Sequence, residues 1–149
     1  MKIIIDTREQ KPLTFPNHET ISRKLDEGDY NVEELVDYVV FERKSLEDLY
    51  GTIFTTEGHQ RFKRELLRAK EKGKVFYIFI EGNLEEFYNL SWSKRELKIK
   101  PSTMQKTIET MKKKYNLLFI ECESRESMSN EIVKTIELNK KLNEVMKNE

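Results

Sequence analysis

The sequence contains few of the residues that would indicate a secreted, zinc-binding or membrane protein. Cys122 is its only cysteine, which excludes an internal disulfide and a cysteine zinc cluster. The two histidines, His18 and His59, lie in no motif. No run approaches the roughly 18 apolar residues of a membrane span, and the N-terminal MKIIIDTRE lacks the length and cleavage site of a signal peptide. We therefore expect a cytoplasmic protein that does not associate with membranes.

The chain also has no net charge at neutral pH. Its overall charge therefore gives no indication of a nucleic-acid partner. Lysine plus arginine and aspartate plus glutamate each number 27, so any such partner must be inferred from local arrangement. Residues 26–37 are acidic, whereas residues 61–74 carry seven basic side chains. The 149 residues suit one domain, and 37% hydrophobic residues are enough for a folded core.

Apolar patterning predicts one α/β domain with a mixed β-sheet flanked by helices. Runs rich in β-branched and aromatic residues predict strands near 2–6, 21–25, 30–32, 38–43, 75–80 and 117–120. We expect the first four to form an antiparallel meander, and the uncharged run 75–80 to be an interior strand buried on both faces. Strands come first along the chain, and helices alternate with strands later. This order favours a mixed sheet.

Capping residues and helical periodicity predict four helices. Ser45 starts a short helix that stops before Gly51, and a longer helix covers about 60–72. Ser102 and Gln105 form a capping box for a third helix, and Ser124 caps the last one. Residues 83–98 lack clean periodicity and predict an irregular excursion that contains a helix.

Two charged phrases, GDY at 28–30 and ERKSLED at 42–48, carry the candidate chemistry. Residues two apart on a strand share a face, so Glu42 and Lys44 project together while Arg43 points away. A hairpin of strands 30–33 and 38–43 would bring the Asp29 carboxylate beside that of Glu42. Two converging carboxylates suit Mg²⁺ or Mn²⁺. Lys44 would then orient or deprotonate the attacking water, or stabilise charge on a phosphate, which is the equipment for phosphodiester hydrolysis.

These residues also have structural interpretations. Alone, Glu42 and Lys44 are more often a solvated strand face, and only their combination with Asp29 favours a site. Asp48 lies at the third position of the helix begun by Ser45, so capping is at least as well supported as a role in the site.

Other charged and aromatic side chains are equally open to two interpretations. Arg8 and Glu9 either pair with each other or contribute to a site at the end of the first strand. The basic stretch that begins at Arg61 is mostly a solvated face. Phe87 and Trp92 either pack, which is commoner, or stack on unpaired bases.

The spacing D-x12-E-x-K is that of the PD-(D/E)xK nucleases, which have a restriction-endonuclease-like core. GDY followed by ERKSLED resembles the GD-x(n)-ERKxxxD signature of XPF-type structure-specific endonucleases. Upstream, IIIDTREQ resembles that family's DxRE strand end. Downstream, the pair Arg61 and Phe62, the strand VFYIFIEG and the stretch KPSTMQKTIETMKKKYNLLFIECESRE occur in the family's order. The resemblance covers nearly the whole chain except residues 83–98.

The resemblance implies a metal-dependent endonuclease that cuts flaps, forks or other branched DNA. Asp29 and Glu42 would be metal ligands and Lys44 the catalytic lysine. Asp6 would be a third carboxylate near the metal, and the carbonyl of Arg43 an additional ligand.

The other matching positions would support that site. Arg8, Arg43 and Arg61 would contact phosphate or hold the site's geometry, together with Glu9 in the DxRE phrase. Asp48 would support the site by pairing with a cation.

The resemblance also implies a homodimer, or a partner protein, bound through the last two helices. The apolar stripe Met128, Ile132 and Ile136 continues to Leu142 and Met146, further than a small core needs. Many family members carry a C-terminal helix-hairpin-helix domain. None follows here, so we expect a minimal nuclease or one that needs a partner.

Two alternatives stay open. The first is a catalytically inactive DNA-binding or scaffold partner of a nuclease. The second is a PD-(D/E)xK nuclease of restriction or recombination type that cuts plain duplex.

Overall fold

Six strands form one mixed sheet in the computed structural model, which describes residues 1–148. The strands are β1 (Lys2–Ile5), β2 (Glu19–Ser22), β3 (Tyr30–Asn31), β4 (Val39–Ser45), β5 (Val75–Glu81) and β6 (Leu117–Cys122). Their order across the sheet is β2-β1-β3-β4-β5-β6. β1 is parallel to β2 and antiparallel to β3, β3 is antiparallel to β4, and β4, β5 and β6 run parallel. The predicted mixed sheet is therefore confirmed.

Helices cover both faces of this sheet and divide the apolar side chains into two cores. The helices are α1 (Leu46–Phe54), α2 (Thr56–Glu71), α3 (Leu84–Asn89), α4 (Pro101–Tyr115) and α5 (Arg125–Lys147). On the side of α1 to α4 the core includes Val40, Leu49, Phe62, Ile78, Ile80, Phe87 and Met104. On the other side, α5 and the loop after β1 pack against the sheet. The core there includes Phe41, Phe79, Leu13, Phe15, Met128, Ile132 and Ile136. β5, in which residues 75–80 are uncharged, thus contributes to both cores, as its sequence predicts.

Two helix caps follow the sequence signals. The Ser45 hydroxyl accepts a hydrogen bond from the backbone N–H of Asp48 at 3.0 Å and starts α1. The Ser124 hydroxyl accepts one from the N–H of Ser127 at 3.0 Å and starts α5. Because α1 follows β4 directly, its cap fixes the end of the strand that carries Glu42 and Lys44.

Three predicted features differ from the structure. β2 begins at Glu19 and lies parallel to β1 at the sheet edge, so it is not part of a meander. α1 continues through Gly51 because the rings of Tyr50 and Phe54 pack one turn apart, with centroids 4.9 Å from each other. α4 is capped by Lys100 with Pro101 in its first turn. The Ser102 capping box is therefore not formed, since proline is favoured at the first helical position.

The start of α2 also differs, because α2 begins at Thr56 rather than near residue 60. Gly58 explains how the two helices join so closely. A Cβ atom at Gly58 would lie 2.6 Å from the carbonyl oxygen of Gly51 in α1. Only glycine permits this approach. The approach places α2 over the face of β4 that carries Glu42 and Lys44.

Residues 83–98 contain α3, as expected of the predicted excursion. After α3 the chain turns back, and the ring of Trp92 stacks on that of Phe87 with centroids 6.0 Å apart. The Trp92 Nε1–H donates to the carbonyl oxygen of Phe87 at 3.2 Å. Both aromatics therefore take part in packing. No helix within residues 1–148 is long and apolar enough to cross a bilayer.

Candidate active site

A glycine turn at the start of β3 places Asp29 beside Glu42. Gly28 has a φ of +82°, and a Cβ atom there would lie 2.8 Å from the carbonyl oxygen of Phe41. The positive φ and the close contact both require glycine at this position. The N–H of Asp29 donates to that same carbonyl at 2.8 Å, and Oδ2 of Asp29 accepts from the N–H of Arg43 at 2.8 Å. The hairpin expected from the sequence is formed and the two carboxylates face one cavity.

The loop ahead of Asp29 is tied to the far end of α2 by a buried ion cluster. The side chain of Glu27 is fully buried, and its carboxylate accepts from Nζ of Lys74 at 3.0 Å and of Lys72 at 3.2 Å. Breaking one partner of such a cluster leaves a buried charge. Glu27 is not among the residues predicted from the sequence, because its surroundings are set by residues more than forty positions away.

Lys44 is a buried cation on the same side of β4 as Glu42. Its Nζ lies 3.0 Å from Oε2 of Glu42, and 4.6 Å from the ring centroid of Phe62. Burial favours the neutral amine, but the charges of Glu42 and Asp29 outweigh it and raise the pKa of Lys44. In the metal-free protein the two carboxylates therefore favour the charged form of Lys44.

A further carboxylate, Glu65 of α2, completes the acidic side of the cavity. Its Oε1 accepts from the N–H of Gly28 at 3.1 Å. Burial, and next the charge of Glu42, raise the pKa of Glu65 to about 7, and the protonated form hydrogen-bonds to Glu42. The same two causes raise the pKa of Asp29 well above its ordinary value. Carboxylates crowded in this way favour a bound proton or a bound cation.

Glu65 is not among the residues predicted from the sequence, although the sequence contains a signal for it. It lies three residues after Phe62 and directly before Leu66, both of which are buried on α2. A carboxylate on the apolar face of an amphipathic helix is unusual unless it has a partner.

These side chains line a cavity of about 290 Å³ between the sheet and α2. Its walls include Asp6, Arg8, Asp29, Glu42, Lys44, Arg61, Glu65 and Arg68. Within residues 1–148, no three aspartate, glutamate, histidine or cysteine side chains form a ready-made metal site. The pair Asp29 and Glu42 nevertheless suits Mg²⁺ or Mn²⁺, which take few protein carboxylates and complete their coordination with water and substrate oxygens.

Asp6 lines the cavity, but both its oxygens already have partners. Oδ2 accepts from the backbone N–H and Nε of Arg8 at 3.1 and 2.8 Å, and Oδ1 accepts from the N–H of Leu25 at 2.7 Å. Burial opposes the charged form, but the hydrogen bonds from Arg8 and Leu25 outweigh it and hold the pKa of Asp6 below its usual value. Asp6 thus orients Arg8, and its place among the metal ligands stays a prediction.

The Arg43 side chain lies on the face of β4 that is opposite the cavity, and it contacts Glu9 there. Arg43 donates from Nε and Nη2 to the Glu9 carboxylate at 2.9 and 3.0 Å, and from Nη1 to Glu81 at 2.9 Å. Glu9 also accepts from the hydroxyl of Tyr30 at 2.6 Å. The pairing of Arg8 with Glu9, one of the two interpretations of these residues, is absent from the described residues, because Arg8 pairs with Asp6 instead. Arg43 therefore holds the geometry of the site, and its guanidinium does not line the cavity.

The two remaining predicted residues are at the surface. Arg61 lines the cavity with a side chain that is 72% exposed, and its Nη2 lies 3.8 Å from Glu57. Such a side chain is free to contact phosphate. Asp48 is exposed and donates its backbone N–H to the cap of α1. Within residues 1–148 its carboxylate makes no ion pair, so only its backbone takes part in the cap, and its role in the site stays a prediction.

Comparison with known proteins agrees with this geometry. A family profile for the ERCC4 domain matches residues 5–135. No curated protein matches the chain in sequence. XPF from Aeropyrum pernix is 18% identical with a TM-score of 0.70 over 99% of this chain and 69% of that one. XPF from Aeropyrum pernix in complex with DNA is 18% identical with a TM-score of 0.68 over 94% and 65%. At this identity the likeness establishes a shared fold.

Proposed function

This chain belongs to the ERCC4 domain family, and on that premise we propose that it is a Mg²⁺- or Mn²⁺-dependent endodeoxyribonuclease. Its substrate is DNA with flaps, forks or other junctions between duplex and single strand. The observation that supports the proposal most is the convergence of Asp29, Glu42 and Lys44 in one cavity. A buried carboxylate, a partly buried one and a largely buried ammonium beside exposed arginines are what phosphodiester hydrolysis requires.

The carboxylates of Asp29 and Glu42 would hold the cation. When bound, the ion would polarise the phosphodiester and lower the pKa of a water molecule. The protein's own contribution is positioning. The backbone N–H of Arg43 fixes the Asp29 carboxylate, and Lys44 orients Glu42 through a contact of 3.0 Å.

Lys44 acts as a charge rather than as a base. Its ammonium, 3.0 Å from the Glu42 carboxylate and in the wall of the cavity, stabilises the negative charge that develops on the phosphate oxygens. The water oxygen attacks phosphorus, the bond to the 3′ oxygen breaks, and that oxygen leaves as a hydroxyl. The products are a 5′-phosphate and a 3′-hydroxyl end.

Exposed cations at the mouth of the cavity bind the DNA backbone. Arg8 is held in place by Asp6 yet is 63% exposed, and Arg61 projects from α2. Arginine suits this task because its planar guanidinium donates two hydrogen bonds to one phosphate. These contacts weaken with salt.

The end of α5 provides a surface for a second subunit. Four large apolar side chains there are at least half exposed, namely Leu138, Leu142, Val145 and Met146. Exposed apolar surface of this kind is typical of protein interfaces. We propose a homodimer, or a partner protein, at this surface.

A panel of DNA substrates tests the proposed function. The protein is incubated with Mg²⁺ or Mn²⁺ and labelled single-stranded, duplex, nicked, flap and four-way DNAs. The proposal expects cleavage of the junction-containing substrates and none in EDTA. Cleavage of plain duplex alone would favour a restriction-type nuclease. No cleavage, together with Mn²⁺ binding that does not depend on Asp29, would favour a scaffold subunit.

A further inference from the structure

A second groove opens directly from the active-site cavity and has no role in the mechanism above. It measures about 890 Å³. Four residues line both spaces, namely Lys44, Thr52, Gly58 and Arg61. We propose that this groove, which we call the exit groove, binds a single-stranded segment of the DNA whose backbone is cut. The inference rests on the proposed function and adds the path of the strand.

One wall of the exit groove is aromatic. Tyr50 of α1 and Trp92 lie side by side with ring centroids 5.4 Å apart, and both are half-buried. Trp92 is held from behind by the ring of Phe87 and by its own hydrogen bond to the Phe87 carbonyl. Its orientation is therefore fixed by contacts outside the groove. An aromatic ring that is braced from behind and lines a groove is a stacking platform for a base.

Exposed cations follow the aromatic pair along the chain. Lys94 and Arg95 line the groove, and Lys98 and Lys100 continue the same exposed segment. Between residues 91 and 100 the only acidic residue is Glu96. Together with Arg61 on α2, these side chains give the groove positive charge on two sides. A phosphate backbone that leaves the cavity past Arg61 would next meet Lys94 and Arg95.

The groove also has exposed carboxylates, and they restrict where a strand can lie. Glu47 and Asp48 stand at the start of α1, and Glu57 lies beside Arg61 on α2. Phosphates would be repelled there. The backbone is therefore expected along the wall formed by Lys94 and Arg95, with the bases directed towards Tyr50 and Trp92.

Stacking on these rings selects single-stranded over duplex DNA. In a duplex the faces of the bases are covered by neighbouring base pairs, whereas unpaired bases can stack on aromatic side chains. The exit groove would thus recognise the unpaired arm of a junction. The duplex would approach from the other side of the cavity, near Arg8 and Arg68.

Trp92 provides a direct test, because it is the only tryptophan in the sequence. The metal-free protein in EDTA is titrated with an oligothymidylate of about ten nucleotides while tryptophan fluorescence is recorded. A saturable change in emission is expected. A duplex of the same length should leave the emission unchanged, and an equal change with duplex would overturn the selectivity for single strands.

Charge variants test the path of the backbone. The double substitution Lys94→Ala and Arg95→Ala should weaken binding of the oligothymidylate about tenfold at low salt, since two phosphate contacts are lost. The matched control is Lys134→Ala with Lys141→Ala, which removes two exposed cations from α5. Equal affinity of both double variants and the parent would contradict the exit groove.

The two proposals fail separately. The protein could cleave flap DNA and yet show no Trp92 response and no effect of Lys94→Ala with Arg95→Ala. The proposed function would then stand, and the binding of a single strand in the exit groove would be excluded. A protein that shows both effects yet cleaves none of the DNA panel has the groove and is not the proposed enzyme.

Discussion

The backbone N–H of Arg43 donates a hydrogen bond to Oδ2 of Asp29 at 2.8 Å, across fourteen positions of the sequence. The Arg43 side chain meanwhile points to the other face of the sheet, where Glu9 and Glu81 bind its guanidinium. One residue therefore links the carboxylate in the cavity to an ion cluster outside it. The geometry of the site depends on contacts that never approach the substrate.

Arg43→Ala should both destabilise the protein and disturb the site. The side chain is only 16% exposed. Its removal leaves Glu9 with the Tyr30 hydroxyl alone. Glu81 keeps only the longer contact to Arg125, at 3.8 Å. We expect a loss of about 3 kcal/mol in the free energy of unfolding, with weaker Mn²⁺ binding. Urea denaturation and calorimetric titration measure the two effects. Arg23→Ala, which breaks the exposed pair with Glu33, is the control and should change neither.

The metal-free protein should lose stability as the pH rises through neutrality. Glu65 titrates at about 7 in the folded protein against an ordinary value of 4.5. A raised pKa means that the folded state holds the proton more tightly. Its contribution is fully present below about pH 4.5 and is lost as the pH passes about 7.

Glu65→Gln should remove that contribution, which is at most about 3 kcal/mol for a shift of this size. The raised pKa of Asp29 makes stability fall with rising pH in the same way. The Glu65→Gln variant should therefore reduce, but not abolish, the dependence of stability on pH. Urea denaturation in EDTA on both sides of neutrality measures it. Glu71→Gln, at the exposed end of α2, should follow the parent. A Glu65→Gln profile identical to the parent's would show that Glu65 does not titrate in this range.

Asp6→Asn should distinguish an orienting residue from a metal ligand. The hydrogen bonds of Asp6 to Arg8 and Leu25 indicate that the variant will bind DNA more weakly through a misplaced Arg8. Its affinity for Mn²⁺ should stay within about twofold of the parent, a change well under 1 kcal/mol. Calorimetric titration with Mn²⁺ checks this. A loss comparable to that of Asp29→Asn would instead place Asp6 among the ligands.

Leu142→Lys should convert the proposed dimer to a monomer without unfolding it. The side chain is 51% exposed, so it contributes little to the core, and a buried lysine at an interface is costly. Light scattering gives the mass and thermal denaturation gives the stability. Lys134→Ala, also exposed on α5, should leave the mass unchanged. A parent protein that stays monomeric at high concentration would exclude the homodimer.

The sequence was sufficient for the parts of the fold that depend on local patterns. β5 is predicted by an uncharged apolar run, and the cap of α1 by Ser45 three residues before Asp48. The pairing of Asp29 with Glu42 is predictable because one short hairpin brings them together. The resemblance of GDY and ERKSLED to one family predicted the family, and the family profile over residues 5–135 confirms it.

Features that depend on distant residues were not predictable. β2 pairs with β1 at the sheet edge, and its direction follows from the loop between them rather than from its own side chains. Glu65 enters the cavity because α2 crosses the sheet at an angle set by the contact of Gly58 with Gly51. Arg8 and Glu9 are sequence neighbours, yet each pairs with a different partner because they lie on opposite sides of the strand end.

The most direct test of the central claim is the rate at which Glu42→Gln cleaves labelled flap DNA in Mg²⁺, measured against the parent and against Glu71→Gln. The substitution keeps the size of the side chain and removes the charge that faces Asp29 and Lys44. We predict a rate at least about a hundredfold below the parent, with Glu71→Gln unchanged. Cleavage by Glu42→Gln at the rate of the parent would contradict the assignment of this cavity as the active site.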